Sequence, residues 1–137
     1  MTDVADGIVE VEPDHMTPLQ AVRWELARAV EGAPWPIHVG PVDAVAGPCL
    51  MILSGAREPL PAFGCNYTTR PVVLLVAGRV DPGPAVDELD AQECWVLPRL
   101  PWPVDRVDEE ELVAFAGVQY LARRVVTRTT VTIRGDG

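Results

Sequence analysis

Lysine is missing from this sequence: all 11 basic residues are arginine, set against 20 acids, for a net charge of −9. So acidic a chain lacks the basic stripe on which most nucleic-acid binding depends. Cysteine is sparse and odd in number, with Cys49, Cys65 and Cys94 far apart. That argues against a disulfide framework and suits reduced thiols in a cytoplasmic product. Near the N-terminus Asp3 and Asp6 stand where a signal peptide would be apolar, so none is expected. The longest apolar run, Val72 to Ala77, is far shorter than the about 20 residues a membrane span takes. Gly78 and Gly83 are isolated, so there is no glycine-rich phosphate loop.

Proline is missing from one part of the chain. All 14 prolines lie before residue 104, and a β-rich run from Leu112 to Ile133 follows them. The stretch from Val118 to Ile133 holds neither proline nor glycine. A straight strand of that size would span roughly 50 Å, at about 3.3 Å per residue, whereas strands in globular domains are usually about 5–6 residues long. The run must therefore turn back on itself or leave its own domain and pair with a neighbour. Gly117 is a candidate hairpin turn or bulge. Leu121, Val125, Thr127, Thr129, Val131 and Ile133 alternate with Arg124, Arg128 and other residues, which predicts a half-buried strand with an arginine-lined open face.

The charge is unevenly placed. Residues 1–33 carry seven acids and two arginines (−5), residues 81–111 carry ten acids and two arginines (−8), and the last 26 residues carry four arginines and one aspartate (+3). The basic end thus has acidic surface available on its own chain or on another copy. Arg124 and Arg128 are the residues expected to meet it.

A length of 137 residues and a hydrophobic fraction of 48% fit one globular domain over 1–137, with 1–15 as an extended or flexible arm. Thr17-Pro18-Leu19-Gln20 reads as a capping box with proline in the first turn, and Gly32 as the stop of that helix. Leu19, Val22, Leu26, Ala29 and Val30 would form its buried face, with Trp24 opposite. A tryptophan placed there is either a contact to a partner or covered by a loop. Residues 33–48 read as an irregular connection with a short Ile37–Val39 strand, and Pro48–Leu53 as a buried strand. Residues 57–61 read as loop, and Pro71–Ala77 as a strand buried on both faces. A second, acidic helix over about 85–97 ends at Pro98, Pro101 and Pro103.

No cluster of side chains spells out a reaction. His15 and His38 have no companion at metal-ligand spacing. Cys65 lacks a histidine pattern and reads as a small buried residue. Asp108-Glu-Glu-Glu111 has neither the spacing nor the glycine of a calcium loop and reads as a solvated charge run. Trp95 and Trp102 read as packing against the second helix. Neither catalysis nor a cofactor is expected.

The layout of Thr17 to Val30, Gly47 to Leu53, Val72 to Leu97 and Gly117 to Ile133 resembles the small tail-terminator proteins of long-tailed bacteriophages. The resemblance implies an α/β (α+β) fold, a single mixed or antiparallel sheet carrying two helices and a long C-terminal strand or hairpin. It also implies a sixfold ring in the virion that ends tail-tube polymerisation and docks to the head neck. The implied partners are further copies of the chain, the tail tube protein and the head-tail connector or stopper. DNA would pass through the lumen unbound. Two alternatives are another connector such as the stopper, and a small cytoplasmic α/β ligand-binding domain or enzyme with a pocket gathering His38, Cys65 and nearby acids.

Overall fold

The computed structural model describes residues 8–9, 12–45, 47–60 and 66–132. Cys65 and Ile133 lie outside the described residues, as does most of the expected N-terminal arm.

Helix α1 (Pro18–Ala29) begins as its sequence dictates. Thr17 Oγ1 accepts from Gln20 N at 3.1 Å, Gln20 Oε1 accepts from Thr17 N at 2.8 Å, and Pro18 fills the first turn. The face it buries differs from the expected one. Leu26 and Val30 are fully buried, but Leu19 and Val22 are only half-buried, and Trp24 is 5% exposed. The helix touches strands of two different sheets, so its buried arc is wider than the aliphatic stripe and reaches round to Trp24 and Ala27. Trp24 is a core residue, not a surface contact.

The described strands form two sheets rather than one. The larger is mixed and contains β1 (Ile37–Val39), β2 (Cys49–Leu53), β5 (Val72–Val76), β8 (Val118–Thr127) and β6 (Val104–Val107) in that order, with β7 (Glu111–Phe115) also paired to β8. Only β1 with β2 is parallel. The smaller sheet is antiparallel and joins β3 (Arg57–Pro59), β4 (Asn66–Thr69) and β9 (Thr129–Thr132). Helix α2 (Pro82–Val96) and a 3-10 turn (Leu97–Arg99) complete the described elements.

The long C-terminal run is used up within the chain. Phe115 pairs with Val118 across a two-residue turn, in which Ala116 (φ 52°) and Gly117 (φ 81°) both take positive φ, as a tight hairpin requires. Strand β8 then pairs with β5 along one edge and with β6 and β7 along the other. At Arg128 the run leaves the larger sheet, and β9 enters the smaller one. Over Ala122–Val126 both edges of β8 are occupied, so that part of the strand is closed to addition by a neighbour.

The larger sheet is covered on both faces. On the front, α1 and α2 pack on Leu50, Ile52, Val73, Leu75 and Val125. On the back, Cys49, Met51, Leu74, Val76 and Ala122 lie under Val42, Val45 and Tyr120, whose hydroxyl donates to Val45 O at 3.3 Å. All five residues of β5 are buried, as its unbroken apolar sequence predicts. Gly55 sits where the chain leaves β2; its φ is +67° and an added Cβ would lie 1.9 Å from Arg70 O, so no other residue fits there.

Truncating Leu26 to alanine should cost about 2–5 kcal/mol, and Trp24→Ala a comparable ~3–5 kcal/mol. Urea unfolding at neutral pH measures both. A Trp24→Ala midpoint equal to that of the parent chain would contradict its place in the core.

Candidate interaction surface

Neighbouring residues on a strand point to opposite faces, and β8 carries two adjacent arginines. Arg123 points to the front, where it is 8% exposed beneath α2. Its Nη1 donates to Asp90 Oδ1 and Glu93 Oε1, each at 2.8 Å, and its Nη2 donates to Glu110. Burial alone would favour loss of its proton. The hydrogen bonds to Asp90, Glu110 and Glu93 outweigh that and raise its pKa. Reciprocally, the hydrogen bond from Arg123 holds the Glu110 carboxyl below its usual range.

Arg124 points to the back, in register with Leu74 and through it with Met51. Its Nη1 lies 3.0 Å from Glu111 Oε1. Three more arginines gather at this end of the back face around one carboxylate. Asp105 lies 3.5 Å from Arg70 Nε, 3.7 Å from Arg106 Nη1 and 3.8 Å from Arg128 Nη1. Arg106 Nε also bonds Asp108 Oδ1 at 2.8 Å. Four arginines therefore share three carboxylates, Asp105, Asp108 and Glu111, and the side chains of Arg106, Arg124 and Arg128 stay 58%, 43% and 56% exposed. Beside them opens a cavity of about 270 Å³ with Leu53, Val72 and Val126 in its lining and Arg106, Asp108 and Arg124 on its polar side.

The front surface has the opposite sign. Residues 81–96, which include α2, hold five acids (Asp81, Asp87, Glu88, Asp90, Glu93) and no base. Glu88 accepts from Gly78 N at 2.6 Å, and Asp90 and Glu93 hold Arg123, whereas Asp81 and Asp87 stand exposed.

Of the sequence-predicted contact residues, Arg124 and Arg128 fall in one surface patch, and Trp24 lies elsewhere in the core. Arg70, Arg106 and Arg123 were not anticipated. The signal for Arg123 was available: an arginine at a core-facing strand position demands carboxylates above it. The Asp108–Glu111 run is not simply solvated, since Asp108, Glu110 and Glu111 are each pinned to a different arginine. Trp95 does pack with its surroundings, edge-on to Trp35 at 6.2 Å and beneath the Arg99 guanidinium at 3.9 Å.

His15 is exposed, and His38 lines an apolar cavity of about 320 Å³ beside Cys49. Burial pushes the Cys49 thiol up to about 12, which keeps it protonated at neutral pH and unfit as a nucleophile. Among the described residues no three His, Cys, Asp or Glu side chains are grouped to hold a metal, and no helix is long and apolar enough to cross a membrane. No protein-family model matches the chain, and no curated protein matches it.

Removing the cation from beneath α2 should be costly. Arg123→Leu leaves three carboxylates facing one another, and with their partial exposure the expected loss is about 1–3 kcal/mol at pH 7. The pH dependence has a definite sign. Glu110 is depressed in the fold, so its contribution is present above its ordinary value of 4.5 and disappears as the pH falls through the lowered one. Urea midpoints measured from pH 7 to pH 3 should fall in the acid range for the parent chain, and less steeply for Arg123→Leu. Parallel curves would contradict the assignment.

Proposed function

We propose that the chain is a structural subunit of a ring that ends the tail tube of a long-tailed bacteriophage and joins it to the head neck. The observation that carries this reading is the division of charge across the sheet, with an acidic helix on the front and an arginine patch on the back. Surfaces of opposite sign on opposite faces suit head-to-tail contacts between copies, and such contacts generate rings when the rotation closes. The order of elements supports it too, with a capped helix before the sheet, an acidic helix after β5 and a hairpin-borne long strand at the end. The net charge of −9 suits a lumen through which DNA slides, because carboxylates repel phosphate. The role is one of assembly and involves no chemistry. The partners are further copies, the tail tube protein and the head-tail connector, within a virion built in the host cytoplasm.

The cavity beside His38 and Cys49 favours a second reading, a small ligand-binding α/β domain in the cytoplasm. Mass separates the two. Light scattering of the chain alone and with tail-tube protein should show a closed oligomer of six copies in at least the second case. A monomer in both, binding metabolites in that cavity, would overturn the ring.

A further inference from the structure

The two charged surfaces match in more than sign, and the match rests on the assembly reading above. On α2, Pro84, Asp87, Asp90, Ala91 and Cys94 are exposed, an outward stripe of small residues on which the Asp87 carboxylate is free and that of Asp90 holds Arg123. The same front face continues onto the sheet margin, where Val107 opposite Val125 and Leu112 opposite Leu121 leave apolar side chains 39% and 64% exposed. The back face offers the counterpart: an open cavity with an apolar side of Leu53, Val72 and Val126, beside Arg106 and Arg124, with Arg128 near by. Each face thus combines apolar surface with charge, and the charges are opposite.

We infer that the outer face of α2 of one copy seats on the Arg70, Arg106, Arg124 and Arg128 patch of the next. The occupant is a second copy of this chain. Charge complementarity selects it, because Asp81 and Asp87 stand exposed at the N-terminal end of α2 outside the contacts that hold Glu88, Asp90 and Glu93, and the patch carries one more arginine than its own carboxylates neutralise. The in-chain partners do not close the site. Arg70 and Arg128 reach Asp105 only at 3.5 and 3.8 Å, so they can turn to an incoming carboxylate at little cost. Small side chains at Ala91 and Cys94 let the helix approach closely.

The test is a complementary charge swap on the full-length chain. One variant carries Arg124→Glu and Arg128→Glu, and the other carries Asp81→Arg and Asp87→Arg, which spares the Asp90 carboxylate that holds Arg123. Each alone should remain folded by circular dichroism and self-associate about tenfold or more weakly, with an altered salt dependence. An equimolar mixture should recover the parent mass, because every contact then pairs one acidic with one basic face. Should Arg124→Glu fail to fold beside Glu111, Arg70→Gln with Arg128→Glu replaces it. Parent-strength association of the arginine variant, or a mixture that stays dissociated, overturns the contact while leaving the ring itself standing. Loss of tail-tube binding with self-association intact also overturns it, and assigns the patch to that protein. A parent chain that is monomeric both alone and with tail-tube protein removes the ring and the contact together.

Discussion

One guanidinium beneath α2 fixes the relation of three elements. Arg123 lies on the strand that is paired along both edges, and it reaches α2 through Asp90 and Glu93 and the β6–β7 connection through Glu110. The guanidinium spreads its donors over two nitrogens, Nη1 to Asp90 and Glu93 and Nη2 to Glu110, a span that the compact ammonium of a lysine does not reproduce. The same contact fixes the register of β8. A slip of one residue would carry Arg123 to the back, away from Asp90, Glu93 and Glu110, and would take Arg124 away from Glu111. It would also turn Ala122 and Val126 to the front and unpack both faces.

That register determines which charges are left for other molecules. On the front the carboxylates of Asp90 and Glu93 are committed, with 2.8 Å bonds to a cation that is itself almost fully buried. On the back the ion pairs around Asp105 are long, and its partners Arg106 and Arg128 are more than half exposed, in the range where a pair contributes about 0–1 kcal/mol. The first set holds the protomer together, whereas the second is weak enough to rearrange. Interfaces built on such exposed pairs respond to salt, and they set partner orientation more than raw affinity.

Much of the fold was legible because local signals and tertiary packing agreed. The capping box at Thr17, the unbroken apolar β5 and the acidic helix after Pro84 all follow from short-range chemistry. The face of α1 was misread because aliphatic side chains mark only the part of a helix that meets one sheet, and α1 meets two. The smaller sheet was hidden by Pro59 and Pro61: β3 is fully exposed and ends at Pro59, a position that an edge strand tolerates. Strand β6 was hidden for a similar reason, since all four of its residues are exposed and no alternation shows. Of the candidate surface, Arg124 and Arg128 were legible from alternation. Arg70 and Arg106 were not, because only tertiary structure brings them to Asp105.

The two outer edges of the larger sheet bear on the proposal that assembly uses faces rather than strands. On the β1 side the edge is partly taken, since Ile8 bridges Ile37 and Val9 N donates to Ile37 O at 2.9 Å. On the far side β6 is irregular between Val104 and Arg106 and places Asp105 and Arg106 on the edge, two devices that discourage a further strand from pairing. The long C-terminal run, which by length alone looked available to a neighbour, is consumed by β5, β6, β7 and β4. At the β1 and β6 edges a second copy in the proposed ring would thus find little free backbone to pair with. In the proposed contact the acidic outer face of α2 and the arginine patch point in opposite directions, because Arg123 and Arg124, adjacent on β8, lie on opposite faces of the sheet, the first under α2 and the second in the patch.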